Sequence, residues 1–110
     1  MANDPTTASM SSMPPRPPGA SDPAIKLYQH SDRGGWQVTF IGEDVPYIGD
    51  KYNDQVSSVD VVSGVWELFE HVNFNKTSPG DSIKLKKGSV PNLDPLGMND
   101  KITSLRPIGW

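Results

Sequence analysis

Cysteine is absent from this 110-residue chain. Its absence excludes disulfide scaffolds, thiolate zinc sites and cysteine nucleophiles together. No run approaches the roughly 18 apolar residues of a spanning helix, so no membrane-crossing segment is expected. Apolar residues are scarce, at 35% of the chain. Positive charge is not in excess either: 13 acidic side chains stand against 10 basic ones, a formal net charge of -3. That balance argues against nucleic acid and anionic membranes as partners, and it suits a cation as ligand. The chain is rich instead in turn formers, with 11 prolines and 10 glycines. They belong in a disordered segment, in many tight turns, or in both.

Aromatic residues are missing from residues 1–23, which hold six prolines, four serines and three methionines. Only Asp4, Arg16 and Asp22 are charged there. Such a segment has too little to bury to offset the entropy of ordering, so it is predicted to be a disordered arm. It has neither the basic start nor the apolar centre of a secretory signal, and a cytoplasmic location is expected. The run Pro14-Pro15-Arg16-Pro17-Pro18 has the composition of a polyproline ligand for an SH3-type groove. A solvated leader with no partner is the simpler reading.

Residues 24–110 form the expected domain, and their apolar pattern has the period of two that strands require. Ile25 and Leu27 flank Lys26; Trp36, Val38 and Phe40 alternate with Gln37 and Thr39; Ile83 and Leu85 alternate with Lys84 and Lys86. Val65, Glu67 and Phe69 interleave with Trp66 and Leu68. Each run is short and ends in turn residues such as Asp32-Arg33-Gly34-Gly35 or Pro79-Gly80-Asp81. The class is all-β, an antiparallel sandwich or small barrel.

The domain repeats itself. Leu27-Tyr28-Gln29-His30 matches Leu68-Phe69-Glu70-His71, 41 positions on. Asn53-Asp54-Gln55-Val56-Ser57-Ser58 matches Asn99-Asp100-Lys101-Ile102-Thr103-Ser104, 46 positions on. Most of the slack falls before Gly80, where the turn from Asn75 carries an insertion relative to the one before Gly35. Two copies of one four-strand unit are therefore expected, the first over about 24–63 and the second over about 64–110.

Each hexapeptide is rich in oxygen. Asn53, Asp54 and Ser57, and again Asn99, Asp100 and Thr103, offer side-chain oxygens within five residues. Calcium takes six to eight such ligands and accepts main-chain carbonyls among them. The same residues also serve as strand-entry turns, because Asn and Asp cap turns and Ser or Thr starts a strand. Zinc is disfavoured, since the two histidines sit in different repeats without thiolate companions.

An aromatic-x-His element, a Gly-rich hairpin and then [Asn/Asp]-[Asn/Asp]-x-x-[Ser/Thr]-Ser, all twice over, resemble the βγ-crystallin Greek key. The resemblance covers residues 25–108 and is nearest to single-domain, calcium-binding microbial and lower-eukaryote members of the spherulin 3a kind. It implies a sandwich of two Greek keys with eight short antiparallel strands and two calcium sites at the paired motifs. In that pattern Gln55 and Lys101 give main-chain carbonyls, and Ser57 and Thr103 give hydroxyls. Gln29 and Glu70 give further carbonyls, and the Asn53-Asp54 and Asn99-Asp100 pairs add side-chain oxygens, chiefly from Asp54 and Asp100. Each ion draws on both motifs. Ser58 and Ser104 tie down the folded hairpins. Lys101 brings an ammonium near one ion, so unequal sites are expected.

The remaining features have plain readings. His30 and His71 beside the hairpins, and Trp36, Trp66 and Trp110, are expected to pack. Lys84, Lys86 and Lys87 make a solvated strand face that discourages edge pairing. No nucleophile–base set or phosphate loop is present, so no enzyme is expected. The implied function is a non-catalytic calcium-binding module, a monomer or weak homodimer, with a role in stress, dormancy or calcium buffering. The alternative is an interaction module that recruits a partner through the proline-rich arm or an exposed sheet edge.

Overall fold

Alternation along the chain decides which face of each strand turns inward. The computed structural model describes residues 13–110, so the expected disorder of residues 1–12 lies outside the described residues. Strands β1 (Ala24–His30), β2 (Gly34–Ile41) and β3 (Ser58–Ser63) come from the first unit. Strands β4 (Val65–Phe69), β5 (Ser82–Leu85), β6 (Gly88–Val90) and β7 (Ser104–Gly109) come from the second. All pairings are antiparallel.

The two sheets have the orders β2-β1-β3-β6 and β5-β4-β7. Thus β6 leaves its own unit and pairs with β3 of the first, Asp60 lying opposite Ser89. The first unit returns the exchange at one point, the bridge between Val45 and Leu105 of β7. There Val45 N–H donates to Leu105 O at 2.8 Å, and Leu105 N–H donates to Val45 O at 3.0 Å. Among the described residues seven strands are present where eight were expected. The missing one is reduced to the Val45 bridge because the pairing slips by one residue beyond it, Ile48 rather than Tyr47 donating its N–H to Thr103 O, at 2.9 Å.

Between the sheets lie Ile25, Leu27, Val59, Val61, Trp66, Leu68 and Leu105, all at most 3% exposed. Val56, Leu93, Met98 and Ile102 from the loops join the same cluster. Burying each of the larger side chains contributes about 1.5–3 kcal/mol, which is what selects this register over one slipped by a residue. Trp36, Val38 and Phe40 pack against the cluster from β2, and Ile83 and Leu85 do so from β5. Strand β5 is a sheet edge, and its Lys84 is exposed. Pro23, the last residue before β1, is fully buried, and its carbonyl accepts from Gly42 N–H at 2.8 Å.

Candidate metal centre

Each hexapeptide enters the first residues of a strand, Asn53–Ser58 leading into β3 and Asn99–Ser104 into β7. Asp54 and Asp100 are left-handed, with φ of 58° and 57°. That conformation is one short polar side chains tolerate. Each aspartate main chain bonds to the other motif: Asp54 N–H donates to Ile102 O at 3.2 Å, and Asp100 N–H to Val56 O at 3.0 Å. Val56 and Ile102 are fully buried, so the hexapeptides are anchored side by side in the core.

That anchoring brings oxygens from the two units together. Thr103 Oγ1 donates to Asn53 Oδ1 at 2.7 Å and lies 3.3 Å from Asp54 Oδ1. Ser57 Oγ donates to Asp100 Oδ1 at 3.4 Å. Ser57 and Thr103 are nearly buried, whereas Asp54 and Asp100 are exposed and can turn toward an ion. The two clusters differ. Asn53 Oδ1 has a partner, but its counterpart Asn99 Oδ1 is buried with no hydrogen-bond partner among the described residues.

The flanking hairpins are built alike. Ser58 Oγ donates to His30 O at 2.6 Å and accepts from Arg33 N–H at 3.1 Å. Ser104 Oγ donates to His71 O at 2.6 Å and accepts from Phe74 N–H at 3.1 Å. The expected tie from the last hexapeptide position to its hairpin is therefore present in both units. Gln29 Oε1 accepts from Trp36 N–H at 3.4 Å, and Glu70 Oε1 from Asp81 N–H at 3.0 Å. Those side chains are committed to the hairpins. Gln29 also sits where the β1–β2 register shifts, at a bulge. In the second hairpin Asn73, Phe74 and Asn75 are all left-handed. Asn75 takes glycine's place there: its Oδ1 accepts from His71 N–H at 2.9 Å and its Nδ2 donates to Asp81 O at 3.1 Å.

Gly35 and Gly80 occupy equivalent places, each pressed on a histidine ring. A Cβ on Gly35 would lie 2.9 Å from His30 Cδ2, and one on Gly80 2.5 Å from His71 Cδ2. The packing role expected of both histidines is thus visible. Gln55 is exposed, and Lys101 is half-buried with its Nζ 3.1 Å from Asp81 Oδ2. The ammonium is drawn to the second hairpin and partly neutralised there. Asp81 is the residue near the site that sequence reading missed, because it sits 20 positions from Lys101 and only the fold joins them.

The donor set tests the kind of ion that fits. Hydroxyls, carboxylates, a buried amide oxygen and main-chain carbonyls are hard ligands suited to calcium. Among the described residues no three His, Cys, Asp or Glu side chains gather, which does not suit zinc.

Comparison with known proteins agrees with the architecture. The family model for Beta/Gamma crystallin matches residues 24–108. Beta-crystallin B1 of Sus scrofa is 34% identical over 95 residues, covering 84% of this chain and 35% of that protein. The chain thus spans about a third of that relative's length. A βγ-crystallin structure from an archaeon is 30% identical with a TM-score of 0.68, covering 80% of this chain and 99% of the other. The beta gamma crystallin of Ciona intestinalis is 30% identical with a TM-score of 0.67, covering 76% and 98%. Animal and archaeal relatives match alike, so together they define the superfamily. The chain belongs to the beta/gamma crystallin family.

Proposed function

We propose that the domain is a non-catalytic calcium-binding module whose two ions staple its Greek keys together. The observation that carries this reading is the reciprocal cross-key pairing, Ser57 with Asp100 and Thr103 with Asn53 and Asp54. In one site the Ser57 hydroxyl and Asp100 carboxylate would hold the ion with the Gln55 and Glu70 carbonyls, beside the unpartnered Asn99 amide. In the other, Thr103, Asp54 and Asn53 would act with the Lys101 and Gln29 carbonyls. Calcium supplies charge neutralisation and cross-linking there. An ion that binds only the folded state adds about 2.7 kcal/mol at a hundredfold excess over Kd. For a small domain that is a large increment, and it suits a protein of stress or dormancy, or a calcium buffer.

Calcium titration followed by tryptophan fluorescence and thermal melting tests the reading. Added calcium is expected to raise Tm. The pair Ser57→Ala with Thr103→Val should fold and lose most of that rise. A wild-type Tm that ignores calcium defeats the proposal.

A further inference from the structure

Residues 14–23 were expected to be solvated, but they touch the domain at both ends of the segment. At one end Trp110 Nε1 donates to Pro14 O at 2.8 Å, and the Arg16 guanidinium lies 4.7 Å from the centre of the Trp110 ring. Arg16 is also paired with Asp22, within the same segment. At the other end Ser63 Oγ donates to Asp22 O at 2.7 Å, and Gly42 N–H donates to Pro23 O at 2.8 Å. Pro23 sits over Gly64, where a Cβ would come within 2.7 Å of Pro23 Cβ and 2.8 Å of Gly109 O. Between these attachments an open cleft of about 580 Å³ separates Pro17–Ser21 from Val65, Lys86 and Lys87. A segment fixed at its ends over a cleft is a strap, not a packed layer.

We propose that residues 14–23 are an intramolecular ligand of Trp110 that locks the two Greek keys at the end of the sandwich opposite the paired hexapeptides. The register places the two ends. Ala24, which follows the strap, pairs with Ile41 and Ser63, and Val65 pairs with Gly109. The hexapeptides run into Ser58 and Ser104, which pair with Tyr28 and Phe69 at the far ends of β1 and β4. The strap holds both keys: Gly42 and Ser63 belong to the first, Trp110 to the second. The forces suit a reversible latch. A cation over a partly exposed indole and a single neutral hydrogen bond are each weak contacts that break and re-form readily. The proline run is thereby occupied in cis by an aromatic face and a carboxylate, the two groups a proline-binding groove would have to supply for Arg16.

The proposal does not rest on the calcium reading. Its test is amide and indole hydrogen exchange on the full chain, with calcium chelated and with calcium in excess. The Trp110 indole N–H and the Ala20 and Gly42 amides should be protected in both conditions. Trp110→Ala should speed exchange at Ala20 and Gly42 about tenfold while the β1 and β4 amides keep their rates. If that variant opens the whole domain, Trp110→Phe and Arg16→Ala decide, since each removes one contact and should give part of the effect. Exchange at Ala20 and Gly42 unchanged in all three variants, or a Trp110 indole as unprotected as in a free peptide, overturns the strap.

Discussion

Asp60 and Arg106 hold the same place in the two Greek keys and carry opposite charges. Asp60 lies across from Lys26 on β1, and Arg106 across from Glu67 on β4, so the cross-strand signs are exchanged as well. Each meets its hairpin by a different force. Asp60 Oδ2 accepts from Arg33 Nε at 2.6 Å and from the Tyr28 hydroxyl at 3.1 Å. Arg106 pairs with Glu67 at 3.1 Å and stands 5.1 Å and 5.2 Å from the ring centres of Phe69 and Phe74. One corner is an ion pair with a phenol; the other is an ion pair whose cation also faces two aromatic rings.

The Asp60 corner is therefore acid-sensitive. Its hydrogen bond from Arg33 holds the Asp60 carboxyl below the usual carboxylate range. A carboxyl lowered on folding contributes stability above its unfolded pKa of about 3.9, and that contribution is lost as pH falls through the lower folded value. Asp60→Asn is expected to flatten the acid limb of the stability curve, measured as urea midpoints against pH. An acid limb as steep as the wild type's would remove Asp60 from the account. Because the Arg33 side chain is 57% exposed, added salt should shrink the effect.

Asp44 predicts the opposite sign. Burial pushes its carboxyl above the usual range, against the pull of Arg106 and Lys76. Its Oδ1 is buried without a hydrogen-bond partner among the described residues. A carboxyl raised on folding contributes most below its unfolded pKa, and that contribution is lost as pH rises through the folded value. Asp44→Asn should be the more stable protein at neutral pH, with the gap closing below about pH 4. Thermal melts at the two pH values check it.

Ser58 and Ser104 are 1% and 0% exposed, and each hydroxyl both donates to and accepts from its hairpin. Replacing either by alanine leaves a histidine carbonyl and a main-chain N–H unpaired. A loss of about 1–3 kcal/mol is expected for each, similar in the two keys. Urea denaturation measures it, and a cost well under 0.5 kcal/mol at either serine would show that water takes over both bonds.

Lys101 bears on how unequal the proposed calcium sites are. Its Nζ is paired with Asp81, which holds the Lys101 ammonium above its usual pKa and so charged. Asp81→Asn should free that charge and weaken the site using the Lys101 carbonyl. Lys101→Gln should strengthen the same site and bring the two closer in affinity. Calorimetric titration separates them, and identical isotherms for wild type and both variants would count against the inequality.

Much of the site is legible in sequence because its parts are local. The hexapeptides announce themselves by repeated oxygen-bearing residues, and Ser58 and Ser104 by closing each hexapeptide at the same sixth position. What stays hidden depends on residues far apart in the chain. Neither Lys101 with Asp81 nor Trp110 with Pro14 carries a local signature. Their pairing follows from where folded strands end.

The sequence by itself determined the class, the two units, the inward faces of the strands and the four-residue delay before Gly80. Period, turn chemistry and repetition act over a few residues, so they are written locally. Only the tertiary structure decided that β6 crosses to the first sheet, that the reciprocal strand shrinks to one bridge at Val45, and that Ser57 faces Asp100 across the keys. It also decided that the proline-rich segment closes over Trp110. Each of these joins groups whose approach requires loop closure first, and that entropy is offset only by the assembled core.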